Sequence, residues 1–315
     1  MSRDHYHTVD GIFVPKLFPS ESVREALAYK PRPDDVFIVS YPKCGTTWMQ
    51  HIVYHIFSNG TLPEDPEEFQ SKTPFFEMRG QESVDNLPRP AAIKTHLPFN
   101  KQPYSTEAKY IYITRNPYDS SVSFFYHVRM ISMLDYADGT FDDFFEAFLK
   151  GEVPFGNYFD HLLSWYPHRN DPNVLFLTYE GLKKDIRSSI QKIADFLGEG
   201  YGEVLRQDPS VLERIVDLTS FANMQKVVNP VMRNFGERLR GVPVEAMPLW
   251  MQRMVRACGD GILKPSQGDF VRKGKVGGWR DHFTPVQAER MKEWIKRSTA
   301  GSDVMDLWND INFDY

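Results

Sequence analysis

A run of four apolar residues, Val36-Phe37-Ile38-Val39, leads almost at once into Tyr41-Pro42-Lys43-Cys44-Gly45-Thr46-Thr47-Trp48, and that segment opens an amphipathic stretch reaching Phe57. The order predicts strand, tight loop and helix. A helix start preceded by a Gly-containing loop gathers unpaired backbone N–H groups and the positive end of the helix dipole, so it binds phosphate-like anions. Lys43 adds a mobile charge, and Thr46 and Thr47 add hydroxyl donors. The loop departs from the nucleotide-binding order G-x-x-x-x-G-K-[ST]. Its Lys precedes the Gly by two residues and no second Gly opens it, so the expected anion is not an ordinary triphosphate.

Short runs rich in β-branched and aromatic residues alternate with helical patterns along the rest of the chain. Strands are expected at 36–40, 91–95, 109–114 and 173–179, and helices at 47–58, 117–133, 141–149, 184–197 and 285–297. Such alternation predicts an α/β fold, a mainly parallel central sheet with helices on both faces. Asn116-Pro117 and Thr284-Pro285 read as helix starts, and Leu197-Gly198 as a helix stop. At 315 residues without repeat, low-complexity tract or linker, the chain is expected to form a single domain over 1–315.

The formal net charge of −5 excludes the broad basic surface of a nucleic-acid binder, although Arg272-Lys273-Gly274-Lys275 is a local basic cluster. Two cysteines far apart, Cys44 and Cys258, fit a reducing compartment. The first residues lack an apolar core and no run approaches the ~20 residues of a membrane span, so the expectation is a cytoplasmic protein without a membrane partner.

In open parallel sheets, ligands bind beyond the carboxyl ends of the strands. The unusual polar clusters all fall there: Lys43–Thr47 after the first strand, Lys94-Thr95-His96 ending the second, Arg115-Asn116 the third, and Tyr179-Glu180 the fourth. Together they resemble the cytosolic sulfotransferases, which transfer a sulfuryl group from 3′-phosphoadenosine 5′-phosphosulfate (PAPS) to a hydroxyl or amine. Tyr41–Trp48 is similar to that family's 5′-phosphosulfate loop, within a unit spanning 33–58. Arg115–Ser123 is similar to its 3′-phosphate segment, within 109–133. Arg272-Lys273-Gly274-Lys275-Val276-Gly277-Gly278-Trp279 resembles its R-K-G-x-x-G-x-W motif.

The resemblance implies a role for each matched residue. Lys43 and the loop residues Cys44, Gly45, Thr46 and Thr47 would hold the 5′-phosphosulfate. Arg115, Ser123, Arg272, Lys273 and Gly274 would hold the 3′-phosphate. Trp48 and Phe221 would stack on adenine, with Tyr179 and Thr219 around the base, although Trp48 and Phe221 read without the resemblance fit core packing on a helix's inner face better. His96 would be the general base, with Lys43 and Lys94 neutralising transition-state charge. A thiol stands at Cys44 where the family carries Ser, and its place beside Lys43 at a helix start predicts a reactive, low-pKa group. Gly278 replaces a usual acid, and 233–269 is long for the family, which suggests an enlarged lid within 233–279. No acidic cluster beside the loop suggests Mg²⁺, so no metal is expected.

Phe75, Phe76, Phe124 and His127, with Lys94 and His96, are expected to line an aromatic acceptor pocket suited to a phenol, catecholamine or sterol. Glu77 or Asp135 is a candidate partner for a cationic amine. The competing functions are a P-loop kinase, an inactive PAPS-binding protein and a membrane-anchored carbohydrate sulfotransferase. The family's pairing segment, K-x-x-x-T-V-x-x-x-E, would align with Arg280, Thr284, Pro285 and Glu289. Pro285 removes a backbone donor, so a monomer is expected in preference to the family dimer.

Overall fold

Six strands and a large helical complement make up the computed structural model, which describes residues 3–85 and 87–314. The strands are β1 (Tyr6–Val9), β2 (Ile12–Pro15), β3 (Val36–Val39), β4 (Ile93–Thr95), β5 (Lys109–Thr114) and β6 (Val174–Thr178). The central sheet is parallel throughout, in the order β4-β3-β5-β6. Register follows the side-chain alternation. Phe37 pairs with Ile93 and Tyr110, and Ile38 with Lys94 and Ile111.

That alternation sends the two halves of each strand into two cores. Phe37, Val39, Ile93, Tyr110 and Tyr112 face one packed layer, which also takes in Phe124, Phe144, Trp165, Trp279 and Trp308. Val36, Ile38, Ile111 and Ile113 face the other, closed by Met49, Ile52, Val53 and Ile56 and by Ile190, Ile193 and Ile215. Burial on both faces is what allows an all-parallel sheet of nearly uninterrupted apolar strands.

The expected helices are present at Thr46–Phe57, Pro117–Met130, Phe141–Lys150, Ile186–Leu197 and Pro285–Ser298. The helix expected to run to residue 133 ends at Met130, after which a 3₁₀ turn covers Ser132–Leu134. Tyr179 opens the helix Tyr179–Lys184 instead of ending a strand, because the Thr178 side chain caps it by accepting from the Gly181 N–H. Residues 233–279 hold Phe235–Leu239, Leu249–Cys258 and two 3₁₀ turns around a small core of Leu239, Met247, Trp250, Met254 and Ile262.

Candidate active site

The carboxyl ends of β3, β4, β5 and β6 border one cavity of about 680 Å³. It touches every residue assigned above to the donor or acceptor site except Cys44 and Phe76, and the two carboxylates proposed for an amine, Glu77 and Asp135, also lie off it.

The loop after β3 is shaped by backbone as much as by side chains. Lys43 has φ 68° and Gly45 φ 112°. A Cβ at Gly45 would lie 3.0 Å from Ile113 Cδ1 and 3.1 Å from Tyr179 Cδ2, so both conformation and space require glycine there. The helix Thr46–Phe57 begins without a side-chain cap, and the Met49 N–H is the first to close, on the Gly45 carbonyl. The amides ahead of it have no intrahelical acceptor, which is the arrangement that binds an anion.

Cys44 does not take part in this way. Its N–H donates to the Tyr41 carbonyl (3.3 Å), and its side chain is fully buried in the core with Sγ 3.3 Å from Ser120 Oγ. Burial pushes the thiol up to about 12, outweighing the nearby Arg115. The expectation of a reactive, low-pKa cysteine is therefore wrong. The tight loop turns this side chain inward, where desolvation dominates.

His96 follows β4 and is 6% exposed. Its Nδ1 lies 2.7 Å from the Ser40 carbonyl oxygen, an acceptor only, so Nδ1 carries the proton and Nε2 is left with its lone pair. Phe75 and Phe155 meet the ring edge-to-face at 5.0 and 5.2 Å. Burial, then Lys94 and Lys43, holds the imidazole well below its ordinary range, so it is neutral at physiological pH. Glu77 supports it from behind. Its Oε1 accepts from the His96 N–H at 2.6 Å and from Thr95 Oγ1 at 3.1 Å. Neither Glu77, fully buried, nor Asp135 borders the cavity, so the carboxylates expected to meet an amine lie elsewhere. Phe76 opens the short helix Phe76–Arg79 and turns into the core against Tyr29, with ring centroids 5.0 Å apart, while Phe75, the residue before the helix, stays on the cavity wall.

Positive charge accumulates in the wall. Burial, then Lys94, Arg115 and Arg272, holds Lys43 well below the ordinary lysine range. Burial brings Lys94 down to about 8. Each lysine rests on an aromatic face, Lys43 Nζ 3.4 Å from the centroid of Phe270 and Lys94 Nζ 4.1 Å from that of Phe75. Arg115 donates to the Lys275 carbonyl at 2.8 Å and lies over Tyr179 at 4.5 Å, while its buried Nε has no partner. Arg272 lies over Tyr126 at 4.0 Å, and Lys273 reaches Asp281 at 3.0 Å. Asp119 holds the basic segment against the helix Pro117–Met130, accepting from the N–H groups of Gly277 (2.8 Å) and Trp279 (3.0 Å).

At the far end, Trp48 donates from Nε1 to the Thr219 carbonyl (2.9 Å) and meets Tyr179 at 5.4 Å. The Thr219 hydroxyl donates to the Ile215 carbonyl, so that proton is not free for a base. A Cβ at Gly274, where φ is +59°, would lie 2.6 Å from the Phe221 ring. Glycine is what lets the basic segment approach that ring. Concentrated cations, free helix-start amides, an orphaned guanidinium N–H and flanking aromatic rings suit a nucleotide carrying anionic groups at two positions. Sequence reasoning missed Ser40, Asp119, Phe155 and Phe270. Only Asp119, in the first turn of a helix beginning Asn-Pro, carried a local signal.

A sulfotransferase domain model matches residues 33–234 and 237–303. The chain is 31% identical to sulfotransferase 1E1 of Bos taurus, covering 95% of this chain and 94% of that one. It is 33% identical to human sulfotransferase 1C2, covering 88% and 87%. Among solved structures, mouse sulfotransferase SULT7A1 complexed with 3′-phosphoadenosine 5′-phosphate (PAP) aligns with TM-score 0.70 at 30% identity, over 97% of this chain and 98% of that one. A retinol dehydratase complexed with retinol and PAP aligns with TM-score 0.66 at 26% identity, over 93% and 89%. The chain belongs to the sulfotransferase family, with PAPS as its sulfuryl donor.

Proposed function

We propose that this sulfotransferase sulfonates the hydroxyl of a small, apolar or aromatic acceptor, with His96 as general base. The observation that carries the reading is the fixed tautomer of His96. With Nδ1–H held by the Ser40 carbonyl, Nε2 is the free acceptor, on a wall that also bears Lys43 and Lys94. A hydroxyl attacking the sulfur gives up its proton as the S–O bond forms, and a neutral imidazole takes it. PAPS supplies the sulfuryl group and leaves as PAP. Negative charge grows on the bridging and sulfuryl oxygens, and Lys43 and Lys94, already desolvated, are placed to offset it. Arg115, Ser123, Arg272, Lys273 and the Gly274 segment would hold the 3′-phosphate, and Gly45, Thr46 and Thr47 the phosphosulfate. Trp48 and Phe221 would flank the adenine.

Support for an apolar acceptor comes from Phe75, Phe124, Phe155 and Phe270 on the wall, and from the retinol held by a structural neighbour. Among the described residues no helix is long and apolar enough to cross a membrane. We place the protein in the cytoplasm, acting on a diffusible acceptor.

The test uses PAPS with simple phenols, sterols and primary alcohols, on wild type and His96→Ala. The variant is expected to lose at least ~10²-fold in kcat. It should bind PAP within a few-fold of wild type, because His96 is assigned to the acceptor's proton. A variant retaining a tenth of wild-type turnover would refute the assignment.

A further inference from the structure

Two arginines are buried among the described residues, Arg79 and Arg115, and both border the cavity. They are held alike. Arg115 lies over Tyr179 at 4.5 Å, and Arg79 over Trp250 at 4.4 Å. Each donates to a backbone carbonyl, that of Lys275 for Arg115 and that of Gln70 for Arg79. Each has a carboxylate only at the limit of ion pairing, Asp119 at 3.9 Å and Glu67 at 4.0 Å. For Arg115 the missing countercharge is the 3′-phosphate assigned above. Arg79 has no such partner, although a buried cation is costly unless it is paired.

Glu67 does little to neutralise Arg79, because its side chain is 69% exposed and water screens it. The other acids nearby in the chain are engaged. Asp65 caps the helix Pro66–Lys72, and Glu68 pairs with Lys72 at 2.8 Å. Burial lowers Arg79 from the ordinary arginine range, but a guanidinium stays charged at physiological pH. Gln70 takes two of its N–H donors, through the carbonyl at 3.3 Å and Oε1 at 2.5 Å. The Nε–H has no acceptor among the described residues and, unlike that of Arg115, it is not shut off from solvent, so a ligand atom can meet it.

The backbone fixes where this cation stands relative to the reacting end. The Phe75 ring lies 5.0 Å from that of His96 and 4.1 Å from Lys94 Nζ. The Phe75 carbonyl accepts from the Arg79 N–H at 2.9 Å, which closes the short helix Phe76–Arg79. Side chains four residues apart on such a turn share a face and are separated by about 6 Å along its axis. Arg79 therefore stands one turn beyond Phe75, where Phe18, Met78 and Trp250 make the neighbouring cavity wall apolar. We propose that the enzyme prefers acceptors carrying a carboxylate at the end remote from the sulfonated hydroxyl, with an apolar body between and Arg79 as the residue that binds the carboxylate. A planar carboxylate matches the guanidinium fork, and the water-poor site strengthens their attraction. The proposal rests on the reading of this cavity as the acceptor site, with His96 at the reacting hydroxyl.

The experiment pairs 3-(4-hydroxyphenyl)propanoic acid and 6-(4-hydroxyphenyl)hexanoic acid with their methyl esters, which keep the phenol and the apolar body but lose the charge. It measures kcat/KM with PAPS, and calorimetric affinity in the enzyme–PAP complex, on wild type, Arg79→Met and Arg79→Lys. In the better pair, wild type should favour the acid over its ester by roughly tenfold or more, the worth of a charge-assisted hydrogen bond. Arg79→Met keeps an apolar side chain against Trp250 and should bring that ratio to within about twofold, whereas Arg79→Lys, which keeps the charge without the fork, should retain part of it. Loss of packing alone would lower both members of a pair and leave their ratio unchanged. PAP affinity of each variant reports whether it is folded. A wild type that sulfonates the esters and prefers neither acid overturns the proposal and leaves His96 as base, and so does a preference undiminished in a PAP-binding Arg79→Met. An Arg79-dependent preference in binding without turnover of any of the four compounds would uphold the proposal and count against His96 as base.

Discussion

Glu77 shows how much of this site depends on one residue behind it. Its carboxylate is fully buried, Oε1 holds the His96 amide and Oε2 has no partner. Burial raises it from its ordinary 4.5 to about 7, against the lowering effect of its hydrogen bonds and Lys94. Since the folded state holds this proton more tightly than the unfolded chain, its contribution to stability is complete below about 4.5 and is lost as pH rises through about 7. The loss is on the order of 3 kcal/mol. Glu77→Gln keeps an acceptor for the His96 N–H but cannot ionise. Denaturant titrations at pH 5 and pH 8 should therefore show the variant gaining stability over wild type as pH increases. A constant difference across that range would mean that Glu77 does not titrate there. The sequence offers no route to this role, because a glutamate two residues after Phe75 reads as a group facing the same pocket. Cys44 shows the converse: its neighbours Lys43 and Gly45 border the cavity, while its own side chain turns into the core.

At the scale of elements, the parallel strands are legible because each is a buried apolar run that ends in polar residues, and three of the four expected strands differ from the structure only at their ends. The hairpin of β1 and β2 is harder to read. Its turn, Asp10-Gly11, is a hairpin signal, but four-residue strands offer little period to detect. The binding loops are legible one by one, and the fastening between them is not. Asp119 ties the Arg272–Trp279 motif to the helix after β5 across more than 150 residues of sequence, through its bonds to the Gly277 and Trp279 amides. Removing that carboxylate leaves two backbone donors without their acceptor, a loss of about 2–3 kcal/mol. Asp119→Ala is expected to weaken PAP binding at least tenfold and to expose the segment to proteolysis between Lys264 and Lys275. Digestion no faster than in wild type would show that the segment is held by something else.

The whole molecule encloses its site between the sheet edge and the segment 233–279, which supplies Phe235, Trp250, Ile262 and Phe270 to the cavity wall. This segment is anchored to the body by its own contacts. Arg253 pairs with Glu25 through two bonds of 2.8 and 2.9 Å, and Arg79 lies over Trp250 at 4.4 Å. Its length is legible in the sequence, whereas the anchors are not, since Glu25 and Arg79 lie far away in the chain. The same distinction bears on assembly. The positions that would pair two copies in the family, Arg280, Thr284, Pro285 and Glu289, here have local tasks for three of the four. Arg280 donates to the carbonyls of Asn312 and Asp314 at 2.6 and 3.0 Å, which commits it to its own C-terminal segment. Thr284 forms a capping box with Gln287, and Pro285 is the first residue of the helix, where its missing N–H is harmless to the helix but unavailable to a partner. A pairing strip this short is small beside the ~800 Å² per partner of a stable interface, so losing a backbone donor and an arginine from it is decisive. The protein is expected to be a monomer at micromolar concentration by light scattering, and Pro285→Val alone should not dimerise it, because Arg280 remains engaged. A wild-type dimer that Glu289→Ala dissociates would show that the segment pairs despite its proline.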